Sequence, residues 1–175
     1  MNNSKITLFI LLFIVFLFLL LFIPFREVIL FTEQRTEKPK EHYVPLKGEM
    51  KFGIRYVHSI HLTDVIETYE VTEDSKIRFL SMSYESLGIG LPGYAADGET
   101  FLAENGMYTL TYNDHVIDSF VLFIAAIDED LALRYKENEL NLKEKLEKGK
   151  SYKVNVVRKS LYQLSKGVDI NEAEE

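Results

Sequence analysis

Cysteine is absent from the 175 residues, which excludes disulfides, thiolate zinc sites and cysteine nucleophiles together. Clustered Lys and Arg are absent too. Phosphate binding needs such clusters, and the formal net charge is -7, so a nucleic-acid partner is excluded and an anionic surface should repel the chain as a whole. Small residues are missing from the N-terminus: no alanine occurs before Ala95 and no glycine before Gly48. A cleavable signal peptide needs a shorter apolar core and a small-residue cleavage site, so that reading is set aside. No internal repeat of useful period is present.

What the N-terminus does hold is ITLFILLFIVFLFLLLFI, Ile6 to Ile23, with Thr7 as its one mildly polar residue. A run of this length is read as a membrane-spanning helix, here over residues 6–25 after a short tail of residues 1–5. It has no small-xxx-small surface and no polar lining, so the expectation is a tether and not a transporting element. Positive residues on either side, Lys5 against Arg26, Arg35, Lys38 and Lys40, leave the orientation open, because the latter four are interleaved with glutamates.

Residues 26–48 are polar around Pro39 and Pro45 in their second half and are read as a stalk. The end, 161–175, is read as a solvated acidic tail. Between them, residues 49–160 alternate short Val/Ile/Phe/Tyr/Thr runs with turn residues, the signature of an all-β domain: a small sandwich or a partly open barrel. The expected strands are 51–59, 64–71, 76–85, 106–112, 115–126, 131–135 and 152–157, with turns at 73–75 and at Asn113–Asp114, and one helical turn or surface loop near 142–146.

Two stretches carry candidate chemistry. In YVHSIHLTDVIETYEV (Tyr56 to Val71) side chains alternate faces, so Phe52, Ile54, Tyr56 and His58 share one face and Val65, Glu67, Tyr69 and Val71 share another. A tight loop over 61–64 sets His58 opposite Glu67, with Tyr56 opposite Tyr69 and Ile54 opposite Val71. A buried carboxylate needs a cation or donors, and such a pair serves as an acid/base couple or as a register-fixing polar contact. His61 is read as a solvent-exposed loop residue. The ligand set His58, His61, Asp64, Glu67 and Asp97 lacks metal-site spacing, so neither a metal nor a cofactor is assigned. In YESLGIGLPGYAADGE (Tyr84 to Glu99) four glycines and Pro92 form one long loop able to approach a ligand or another chain closely; it lacks the features of a phosphate loop or a nucleophile elbow.

Together these motifs resemble a family of small bacterial proteins known as domain of unknown function 1850. His58, Ser59, Thr63, Glu67 and Tyr69 match its hairpin, and Ser86, Gly88, Gly90, Leu91 and Pro92 match its loop. The chain reads AAIDED (Ala125 to Asp130) where several relatives carry an asparagine-histidine pair. The resemblance implies a β-rich domain displayed outside the cytoplasmic membrane on a single-pass anchor, as an accessory to a tripartite TAXI-type solute transporter. The expected partners are the bilayer, through residues 6–25, and a transporter subunit or its binding protein. The ligand or partner candidates are His58, Ser59, Thr63, Glu67, Tyr84, Ser86, Gly88, Gly90, Pro92 and Asp97. The competing expectation is a small hydrolase or lyase using His58 and Glu67 as acid and base, with Ser59 or Ser86 assisting.

Overall fold

The computed structural model describes residues 3–171. Helix α1 runs Asn3–Leu20, stopping short of the expected end at residue 25, and the chain leaves it through a turn before Pro24, whose ring disfavours a helical residue ahead of it. At about 1.5 Å per residue the helix is roughly 27 Å long. Among the described residues no helix is long and apolar enough to cross a membrane. Its large side chains from Leu8 through Leu20 are nevertheless all exposed, as are Leu21, Phe22, Ile23 and Phe25 after it.

Among the described residues twelve strands follow, in two sheets: β1(Arg26–Glu33), β2(Glu41–Pro45), β3(Lys51–Val57), β4(Asp64–Val71), β5(Ile77–Tyr84), β6(Glu99–Glu104), β7(Met107–Ile117), β8(Phe120–Phe123), β9(Leu131–Tyr135), β10(Asn138–Asn141), β11(Ser151–Lys159) and β12(Val168–Asp169), with short helices α2(Leu142–Lys145) and α3(Leu161–Leu164). One sheet has the order β12-β2-β1-β11-β8 and the other β10-β9-β3-β4-β5-β7-β6. They face each other across one apolar core, in which Ile29, Phe31, Val154 and Val156 from the first sheet meet Phe52, Ile54, Val71, Ile77 and Leu133 from the second. Of the two all-β architectures the pattern left open, a sandwich and a partly open barrel, the two facing sheets form the sandwich.

Several boundaries are corrected. Residues 26–48 are not a stalk. Val28, Ile29, Leu30 and Phe31 are buried in succession, and β1 lies between β2 and β11 in the centre of its sheet. The domain therefore begins at Arg26, directly after the helix. Nor is 161–171 a free tail: Ser160 caps α3 with a full capping box, β12 pairs with β2, and Ile170 is buried. The rest of the expected tail, 172–175, and the first two residues lie outside the described residues. The expected turn at Asn113–Asp114 falls inside β7, where the ladder to β5 passes from Phe79↔His115 to Ser81↔Thr111. The extra residues bulge outward instead of reversing the chain. The reversal comes at Asp118–Ser119, splitting the expected 115–126 strand between β7 and β8.

Candidate functional site at the end of the sandwich remote from the helix

β1 starts where the helix ends, and Glu27 on it accepts a hydrogen bond from Ser75 Oγ (2.5 Å) in the β4–β5 turn. That turn therefore marks the end of the sandwich near the helix. β4 spans eight residues, about 26 Å at 3.3 Å per residue, so the β3–β4 loop lies at the opposite end. The glycine-rich loop starts from the same end, because Tyr84 pairs with Val65.

The two motifs meet there. His58 N donates to Thr63 O (2.9 Å) and Leu62 N to His58 O (2.8 Å), closing the loop over 58–63. The His58 ring then bridges the loops: Nδ1 accepts from Ile60 N and His61 N (3.4 Å each), which leaves Nε2–H to donate to Ile89 O at 3.2 Å. The His61 ring stacks on it, centroids 5.3 Å apart, and lies against Gly88. A Cβ at Gly88 would come within 2.5 Å of His61 Cδ2, so a larger residue there would push the ring out of this position. Gly90 takes φ +90, a conformation L side chains rarely adopt. Tyr84, fully buried, donates its hydroxyl to Pro92 O. Both loops are thus tied down at their bases while their apolar side chains point out: Ile89 is 84% exposed, Tyr94 78%, Leu62 66%, Ile60 61% and Leu87 48%.

Beside this tip a cleft of about 400 Å³ opens between the sheets under the free edge of β8. Ile54, Tyr56, Glu67 and Leu131 line it from one sheet, Phe120, Val121, Leu122 and Phe123 from the other, with His58 and Ser59 at its mouth. Lys143 donates to Ile127 O (2.6 Å) and to Glu129 O, bracing the remaining wall. Glu129 Oε2 is buried there without a hydrogen-bond partner.

The register places Glu67 opposite Ile54, Tyr56 opposite Val65 and Phe52 opposite Tyr69. The expected pairing of His58 with Glu67 is therefore corrected: the loop holds six residues, not four, and the ladder slides while every side chain keeps its face. Glu67 is met instead by Tyr69 Oη (2.6 Å) and Tyr56 Oη (3.5 Å). Burial pushes the Glu67 carboxyl up, against the lowering effect of these two donors. Both phenols are pushed up as well, first by burial and then by the adjacent carboxylate.

His58, Ser59 and Glu67 thus share the cleft, while Thr63, Tyr84, Gly88, Gly90 and Pro92 build the paired loops. Ser86 lies half-buried in the glycine loop and Asp97 is exposed near its far end; neither lines the cleft. Among the described residues no group of three or more His, Asp or Glu could hold a metal ion. Sequence reasoning missed the exposed apolar tip and the β8 wall. The tip's signal was available: Ile60, Leu62, Leu87, Ile89 and Tyr94 all sit between turn residues, where polar side chains are the rule.

A family model described as Domain of unknown function (DUF1850) matches residues 52–142, just over half of the chain. The match takes in β3 through β10, with both loops and the cleft's lining except Lys143, and leaves out β1, β2, β11 and β12. No curated protein matches the chain. No solved structure matches it either.

Proposed function

We propose, from the premise that this chain belongs to the DUF1850 family, that it is a membrane-tethered docking module. The apolar helix, continued by Leu21 to Phe25, inserts in a bilayer, and the opposite end of the sandwich grips a protein partner outside the cytoplasm. The observation that carries this reading is the tip. Five large apolar side chains are held in water on two loops joined by the His58–Ile89 hydrogen bond and by the His61 ring against Gly88, and an exposed apolar patch of that kind marks an interaction surface. A rigid loop pair also loses little freedom on binding. The partner implied by the family resemblance is a subunit of a TAXI-type transporter or its solute-binding protein, which would reach the tip from above the bilayer.

The test is Ile89→Asp in the full-length protein. Ile89 touches the rest of the fold mainly through its backbone carbonyl, so thermal stability should stay within about 0.5 kcal/mol of the parent. Copurification with the transporter component should fall at least tenfold, since losing about 1.4 kcal/mol of binding suffices for that. Unchanged copurification, or none in the parent protein, would remove the docking reading.

One observation favours the hydrolase or lyase reading: His58, Ser59 and Glu67 line a single cleft. It requires turnover that Glu67→Gln abolishes; ligand binding that survives the substitution with no product formed would dismiss it.

A further inference from the structure

The base of the molecule carries a second surface. Helix α3 hangs from the end of β11 and is returned to the sheet by β12, with Ile170 N donating to Tyr43 O at 3.0 Å. This fixed segment touches the end of α1: Tyr162 N donates to Leu21 O (3.0 Å), and the Phe22 and Tyr162 rings lie 5.0 Å apart, tilted. Two cations sit on these aromatics, Lys166 Nζ at 4.3 Å over the Tyr162 ring and Arg26 Cζ at 5.4 Å over Phe25. Leu161 and Tyr162 remain more than two-fifths exposed, and Arg26, Arg158 and Lys166 are exposed around them. Of the carboxylates at this end Glu41 is paired with Lys159 and Glu27 accepts from Ser75, while Glu73, Asp74 and Asp118 are exposed on the side of the β4–β5 turn, the last two beside Lys76.

We infer that α3 is an interfacial foot that seats the sandwich on the lipid headgroup layer, with Leu161 and Tyr162 at the acyl boundary and Arg26, Arg158 and Lys166 against lipid phosphates. This inference rests on the insertion of α1 proposed above. Amphipathic rings and long cationic side chains collect at this depth because one end of each is apolar and the other wet. The chain's net negative charge does not oppose it, since fields at a surface are local and screened within about 10 Å. With only the short segment 21–25 between α1 and β1, the foot and the helix end must occupy one plane, and the sandwich stands with its docking tip away from the membrane.

The chain contains no tryptophan, so a single introduced indole reports alone. Full-length Tyr162→Trp, Phe18→Trp and Ile60→Trp proteins are reconstituted in phosphatidylcholine–phosphatidylglycerol vesicles with lipids brominated either high or low on the acyl chain. The expected result is a blue-shifted indole at position 162 that loses most of its emission to the high bromines, an indole at position 18 quenched by the low ones, and one at position 60 quenched by neither. Lys166→Glu added to Tyr162→Trp should reduce the quenching in these anionic vesicles. Quenching at position 18 beside water-like emission at position 162 would overturn the foot and leave the anchor standing; an unquenched indole at position 18 would overturn both.

Discussion

Gly88 shows how the two loops depend on each other. The space beside it is filled by the exposed His61 ring, so Gly88→Ala pushes that ring aside and should cost no more than about 1 kcal/mol, read as a lowered urea midpoint and faster amide exchange in 58–63. His61→Ala in the same chain should restore most of that loss, because it empties the space the new methyl needs; a double mutant no better than Gly88→Ala would mean the strain lies elsewhere. Glu67 makes a prediction in pH. Burial raises its carboxyl pKa in the folded state above the unfolded value, so the folded protein holds a proton that the unfolded chain releases. Its stabilising contribution is complete below the unfolded value near 4.5 and is lost as pH rises through the raised folded value. Glu67→Gln, which stays neutral, should match the parent in melting temperature at acid pH and exceed it increasingly toward neutrality. A pH-independent difference would contradict the burial argument. That Glu67 sits on the buried face was legible from alternation; its tyrosine partners were not, because alternation assigns faces and not neighbours.

At the scale of elements, the same limit explains the register. A period of two is satisfied by any even slide of β4 along β3, so the sequence pattern supports both a four-residue and a six-residue loop. His58, bonded to three backbone groups within and across the loops, selects the longer one. β3, β4, β5 and β9 were readable because turn residues bracket each run. β1 was not, because REVILFTE carries charges at both ends and follows the apolar helix almost at once, so its four apolar residues read as part of that helix's flank and not as a separate strand. Its importance follows from burial: Val28, Ile29, Leu30 and Phe31 are each at most 5% exposed, and burying one such side chain is worth about 1.5–3 kcal/mol. Four of them rival a domain's whole stability of about 5–15 kcal/mol. A chain cut to 26–171 should therefore give a dispersed amide spectrum and a cooperative melt, whereas 49–160, which lacks β1, β2 and β12, should give neither. A folded 49–160 fragment would refute the placement of β1 at the sheet's centre.

For the whole molecule, the family match covers one sheet and β8, and the strands outside it complete the second sheet and connect it to the helix. α1, Arg26 and α3 lie at one end, and the braced loops and cleft at the other, about the length of β4 away, so the proposed attachment and the proposed recognition fall at opposite ends. The measurement that tests this division most directly is photo-crosslinking in intact membranes, with a light-activated residue placed at 89 on the tip or at 74 in the β4–β5 turn. The account predicts a protein adduct with a transporter component from position 89 and none from position 74. Adducts of equal yield from both positions, or from 74 alone, would contradict it.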